Sequence, residues 1–194
     1  MGDKMQTVSL KYSDLISLFA TANAFLINGK NCYNSKFDNT QVNVISVIIV
    51  NYSFAIELYL KLLYAYDFWE KNEKGKMISE RENKTQCIKT HCLKILFDNL
   101  SKENRDILLK ELNNIAIDET SLNLFLERNN TAFEDWRYVF AKDGFETDII
   151  PFKKISETLK NLCEEKMRNY CPNCGWVEAI KPISLVIPLE DVGR

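Results

Sequence analysis

The run over residues 40–71, TQVNVISVIIVNYSFAIELYLKLLYAYDFWEK, constrains this chain more than any other feature. Its first half, VNVISVIIV, is β-branched enough to form a strand. The continuation, SFAIELYLKLLYAYDFWEK, has no period-two alternation and no glycine or proline to stop it, so one helix through both halves is expected. Such a helix is apolar nearly all round, apart from a stripe through Ser46, Ser53, Glu57 and Lys61, and belongs in the middle of a bundle. Its most apolar part, residues 44–63, has nearly the length of a membrane span. It also carries Asn51, Ser53, Glu57 and Lys61 where polar groups in hydrocarbon are expensive, so a core helix is expected, with no membrane as partner.

The remaining sequence favours helices as well. Six glycines and four prolines in 194 residues supply too few turns for an all-β chain. The expected fold class is all-α: an up-and-down helical bundle over residues 1–170, built around the long helix, with a short non-helical tail over residues 171–194. A first helix is expected over residues 13–27, capped by Ser13 and ended by Asn28-Gly29. After a charged loop over residues 71–84 comes a third helix carrying HCLKILFDNL. Ser101 caps a fourth, SKENRDILLKELNNI, with Glu103 in its first turn, and Asp118 starts a short fifth through Leu126. In AFEDWRYVF, Phe133, Trp136 and Phe140 recur at i, i+3, i+7. Pro151 opens the last helix, with Ile155, Leu159, Leu162 and Met167 on one face. The tail joins a tight CPNCGW turn to ISLVIPL, which has strand composition, and is expected to pack on the bundle or to dock a protein partner.

A net charge of −2 and a pI near 5.6 supply no broad field for nucleic acid, leaving only a local basic groove open. Residues 1–13 are polar and lack the apolar core of a signal peptide, so a cytoplasmic location is expected. The six cysteines are then reduced thiols or metal ligands. Cys171 and Cys174 form the CPNCG turn that can aim two thiolates at one metal. Cys87 and His91, at i, i+4, would share a face if that stretch is helical. The four together would make a three-cysteine, one-histidine structural zinc site pinning the tail to the third helix. A reduced turn without metal is the alternative, and Cys92 or the same turn of a second subunit are alternative ligand sources. Cys163 falls beside the apolar face of the last helix and is expected to be a core thiol.

Three segments, SFAIELYLKLLYAY, THCLKILFDNL and AFEDWRYVF, resemble in order and spacing the HEPN-domain proteins. Members of that family place a similar Glu and Lys on the long helix, often begin the next with His-x-Leu, and carry Phe-x-x-Trp-Arg-Tyr further along. The resemblance covers roughly residues 40–166 and implies an up-and-down bundle, usually a homodimer. The wider superfamily includes metal-independent ribonucleases, toxins paired with small nucleotidyltransferases, and nucleotide-binding or scaffolding members. The implied ligand is therefore RNA or a nucleotide, in a prokaryotic defence or toxin–antitoxin setting. Its active ribonucleases carry Arg and, four to six residues on, His. Here Arg137 is followed by YVFAKDG, and the only histidine is His91.

Each candidate residue has two readings. Glu57 and Lys61 form either an intrahelical ion pair or the lining of a functional cleft. Arg137 either ties two helices together through Glu57 or Glu134, or holds a phosphate in its guanidinium fork with Lys61 or His91 as second cation. His91, the one residue type suited to acid–base chemistry near neutral pH, is either catalytic or a capping and packing residue. A Gly-rich phosphate loop, a Ser–His–Asp arrangement and a clustered Asp/Glu metal motif are all missing from the sequence.

Overall fold

A computed structural model describes residues 6–35, 42–67, 69–71, 77–79, 84–131 and 148–170. Its described elements are, in chain order, β1 (Gln6–Lys11), α1 (Tyr12–Asn34), α2 (Val42–Tyr66), β2 (Trp69–Lys71), β3 (Met77–Ser79), β4 (Lys84–Lys89), α3 (Leu93–Asp98), α4 (Lys102–Asn113), α5 (Glu119–Arg128) and α6 (Ile149–Tyr170). The fold is a helical bundle, as composition and the long apolar run require.

Helix α2 is the axis of the core. Ile48, Ile49, Tyr52, Ile56, Tyr59 and Leu63 are all buried along it. Helix α1 returns alongside it in the opposite sense, an up-and-down pair: Asn23 meets Tyr59, Phe25 stacks edge-on against Phe54 at 4.4 Å, and Gly29 meets Tyr52. Helix α6 covers another side and runs parallel to α2, since Cys163 contacts the Tyr59 carbonyl and the Tyr66 hydroxyl donates to the Lys166 carbonyl. Lys30–Glu157 and Lys153 over the Tyr33 ring join α1 to α6. By length and composition alone α2 would pass for a membrane span, but these helices pack on it and its central Glu57 is fully buried. That is the placement of a core helix.

The boundaries differ from expectation in three places. Helix α1 does not stop at Asn28-Gly29 but runs on to Asn34. Gly29 serves close approach instead of a cap: a Cβ there would lie 3.1 Å from two ring carbons of Tyr52 and 3.4 Å from the Asn51 Cβ. The Tyr52 hydroxyl is buried there without a hydrogen-bond partner among the described residues, and burial, then the negative charge of Glu157, pushes its pKa up to about 12. Helix α2 ends at Tyr66 and not at residue 71, because Trp69–Lys71 pairs antiparallel with Met77–Ser79 inside the expected loop.

The third difference lies between residues 84 and 92. The segment Lys84–Lys89, expected to lead into a helix, is strand β4, paired antiparallel with β1 from Gln6↔Lys89 to Lys11↔Lys84. Pairing with a segment some eighty residues upstream decides its conformation, and no local period shows such a partner. Helix α3 therefore begins only at Leu93.

Ser13 is no cap, since α1 already begins at Tyr12, straight after β1, but the other two expected caps form. Ser101 Oγ accepts from the Asn104 amide, and Asp118 Oδ1 accepts from the Ser121 amide. After α4 the chain turns back through Ala116, whose φ of 62° is left-handed. Ile117 N–H reaches the Leu112 carbonyl and Ala116 N–H the Asn113 carbonyl, the bonding of a Schellman motif. Cys163 is buried, as expected, and burial drives its thiol pKa well up. The face Ile155, Leu159, Leu162 and Met167 is buried as well. The AFEDWRYVF segment and residues 171–194 lie outside the described residues.

Candidate functional site

The polar stripe of α2 is buried where it crosses the core. Ser53 and Glu57, one turn apart, are both fully buried, and Ser53 Oγ has no hydrogen-bond partner among the described residues. A carboxylate taken out of water needs compensation. Glu57 receives it twice. Lys61, one turn on, places Nζ 2.7 Å from Oε1, and His91 Nδ1 lies 3.1 Å from both Oε1 and Oε2.

The contact with His91 is the one that joins elements. Helix α2 supplies the carboxylate, while His91 stands in the short junction between β4 and α3. An ionised carboxylate only accepts, so the imidazole donates through Nδ1–H, and in the neutral ring the lone pair then sits on Nε2. The side chains grade from core to surface, with Glu57 1%, Lys61 13% and His91 52% exposed. A buried carboxylate orienting a half-exposed imidazole is an arrangement that suits proton transfer to or from a bound group, and Lys61 adds positive charge beside it.

The junction that carries His91 is held on both sides. Ile88 and Leu93 are buried, and Thr90 Oγ1 accepts from the Cys92 amide. Cys92, at the N-cap of α3, offers no side-chain cap bond. The first two amides of α3 are satisfied from elsewhere: Leu93 N–H donates to the Asn130 carbonyl and Lys94 N–H to Asn130 Oδ1. Asn130 lies just beyond α5. Sequence reasoning missed it, because the helix it caps begins 37 residues upstream and only its residue type hints at capping.

Of the expected site residues, Glu57, Lys61 and His91 come together. Arg137, Cys171 and Cys174 lie outside the described residues, so Arg137 as partner of Glu57 or as phosphate ligand falls there too. The supposed helical face shared by Cys87 and His91 does not exist, since Cys87 belongs to β4. Four residues of extended chain span about 13 Å, against about 6 Å for one helical turn. Among the described residues no three His, Cys, Asp or Glu side chains gather as a metal site.

Comparison of this chain with protein-family models, with curated proteins and with solved structures yields no match.

Proposed function

We propose that this chain is a HEPN-like helical bundle that binds RNA or a nucleotide at the surface where His91 meets the Glu57–Lys61 pair. One observation carries this reading: His91 Nδ1 bonds both oxygens of Glu57, joining the two resembling segments that lie among the described residues. Glu57 serves as the buried orienting group, while Lys61 and His91 form the polar edge that faces a phosphate. Arg137 is proposed as a further phosphate contact and the homodimer as the assembly, both on the family resemblance, as is the role in a defence or toxin–antitoxin system. If the bound RNA is cleaved, His91 is the general base that takes the proton of the 2′-hydroxyl.

The test is binding and cleavage of fluorescently labelled single-stranded RNA by the purified full chain, beside His91→Ala, Lys61→Ala and Arg137→Ala, with thermal melts in parallel. Cleavage lost in a folded His91→Ala protein supports a ribonuclease with an unusual constellation. Binding without cleavage, weakened about tenfold or more by Arg137→Ala or Lys61→Ala, supports an RNA-recognition protein. Neither binding nor cleavage by the wild type would overturn the reading and leave a module that docks other proteins.

A further inference from the structure

The site described above depends on a residue that no motif marks. We propose that Asn130 is the positioning residue for His91, and that the end of α5 thereby sets the orientation of the imidazole against Glu57. The proposal deepens the functional reading above and rests on it for ligand binding, though not for the geometry.

His91 has only three residues of irregular backbone between the last residue of β4 and the first of α3. What fixes those residues fixes the imidazole. Ahead of it, Ile88 is buried against α2 and Thr90 is nearly so. Behind it stands a six-residue helix, too short to hold itself in place, whose N-cap Cys92 makes no side-chain cap bond. Two otherwise orphaned amides are taken up by one residue: Asn130 accepts Leu93 N–H at 3.1 Å through its carbonyl and Lys94 N–H at 3.0 Å through Oδ1. This double acceptor pins the start of α3, and with it the reach of His91 Nδ1 to both carboxylate oxygens.

Hydrogen bonds weaken steeply with misalignment, so a small slackening at Lys94, the amide held by the side chain, is amplified at a contact that needs 3.1 Å to two oxygens at once. The side chain matters for a chemical reason. Asparagine and aspartate place an acceptor two bonds beyond Cβ, whereas alanine has none. A positioning role thus predicts that Asn130→Asp keeps what Asn130→Ala loses.

His91 is the only histidine in the chain, which makes it its own probe. The full chain labelled with ¹⁵N-histidine shows one imidazole, whose two nitrogen shifts report the tautomer of the neutral ring. In the wild type the Glu57 contact should hold the Nδ1–H form, opposite to the preference of a free side chain, and Glu57→Leu should release it. Asn130→Ala should move the ring towards the Nε2–H form while far-UV circular dichroism stays helical, and Asn130→Asp should restore the wild-type spectrum. If Asn130→Ala does not fold, Asn130→Ser, whose oxygen lies one bond nearer Cβ than Oδ1 does, carries the same test.

An unchanged tautomer in a folded Asn130→Ala or Asn130→Ser protein would overturn the proposal, leaving Asn130 a cap and no more. A wild type already in the Nε2–H form would overturn it as well. RNA binding separates this proposal from the functional reading. A displaced tautomer with binding weakened as in His91→Ala supports both. A displaced tautomer with RNA binding unchanged supports the positioning role and removes RNA as the ligand of this site.

Discussion

Lys61→Met is expected to destabilise the protein far more than a lysine substitution on a helix normally does. Surface ion pairs are worth under about 1 kcal/mol. This pair is different, because the Glu57 side chain is 1% exposed and Lys61 only 13%. Breaking a buried pair from one side costs about 3–5 kcal/mol, chiefly because the other charge is left uncompensated. His91 still faces the carboxylate from a half-exposed position, which trims the expected loss to about 2–3 kcal/mol. For a chain of this size that is about 4–12 °C in Tm. Glu57→Leu alone should cost about 1 kcal/mol, since the freed ammonium can extend to water along its apolar stem. The double variant Glu57→Leu, Lys61→Met should lie within about 1 kcal/mol of the wild type, since a buried pair exchanged for well-packed apolar groups is often neutral. Urea unfolding of the four proteins at neutral pH, followed by circular dichroism, gives the coupling energy directly, expected to be about 3 kcal/mol. Strict additivity, or a Lys61→Met loss under about 0.5 kcal/mol, would refute the idea that Glu57 is a compensated buried charge.

Two backbone positions should respond in opposite senses to exchange of glycine and alanine. Gly29→Ala gains about 1 kcal/mol of helix propensity but drives a Cβ to 3.1 Å from the buried Tyr52 ring, so a net loss near 1 kcal/mol is expected in thermal melts. Ala116→Gly relieves a left-handed residue at φ 62° and should stabilise by about 1 kcal/mol; a lowered Tm would contradict the Schellman assignment. Lys160 and Arg168 hold the Glu164 pKa below its ordinary 4.5, Lys160 contributing most, so this group's contribution is present above 4.5 and fades as pH falls through the folded value. Glu164→Gln should therefore cost under about 1 kcal/mol at neutral pH, given the exposed partners, and nothing at acid pH, as paired pH-dependent melts would show. Cys163, buried with its thiol pKa driven up, should resist maleimide at mildly alkaline pH and react only in denaturant, whereas the partly exposed Cys32 should label in the folded state by peptide mass mapping.

Much of the architecture could be read from residue order because the relevant signals are local. The unbroken apolar run announced α2, and Ser101 and Asp118 announced their helices through side chains that bond amides three residues on. Gly29 shows how a local signal misleads. The same missing Cβ that permits a helix stop also permits two helices to touch, and only the position of Tyr52 on another helix decides which use prevails. The pairing of QTVSLK with KTQCIK was beyond reach for a related reason, since KTQCIK does not alternate and their union is a long-range event. The candidate site divides in the same way. Glu57 and Lys61 stood out as i, i+4 charges in an apolar helix, and His91 as the sole histidine. That His91 completes the pair depends on where β4 ends, and that Asn130 supports it depends on contacts across 36 and 37 positions.

The parallel packing of α6 on α2 has a consequence for how the chain is made. Tyr59 and Tyr66 find their α6 partners about a hundred positions later, at Cys163 and Lys166. At about 5–20 residues per second, a ribosome needs roughly 5–20 s between delivering the two surfaces. Throughout that interval the nascent chain displays a greasy 25-residue helix with one flank bare, and by length and hydropathy it matches a membrane anchor. The last described helix thus conceals the feature most able to misdirect the polypeptide. Translation speed downstream of residue 66, and any chaperone that shields this flank meanwhile, should govern yield more strongly than the stability of the finished bundle.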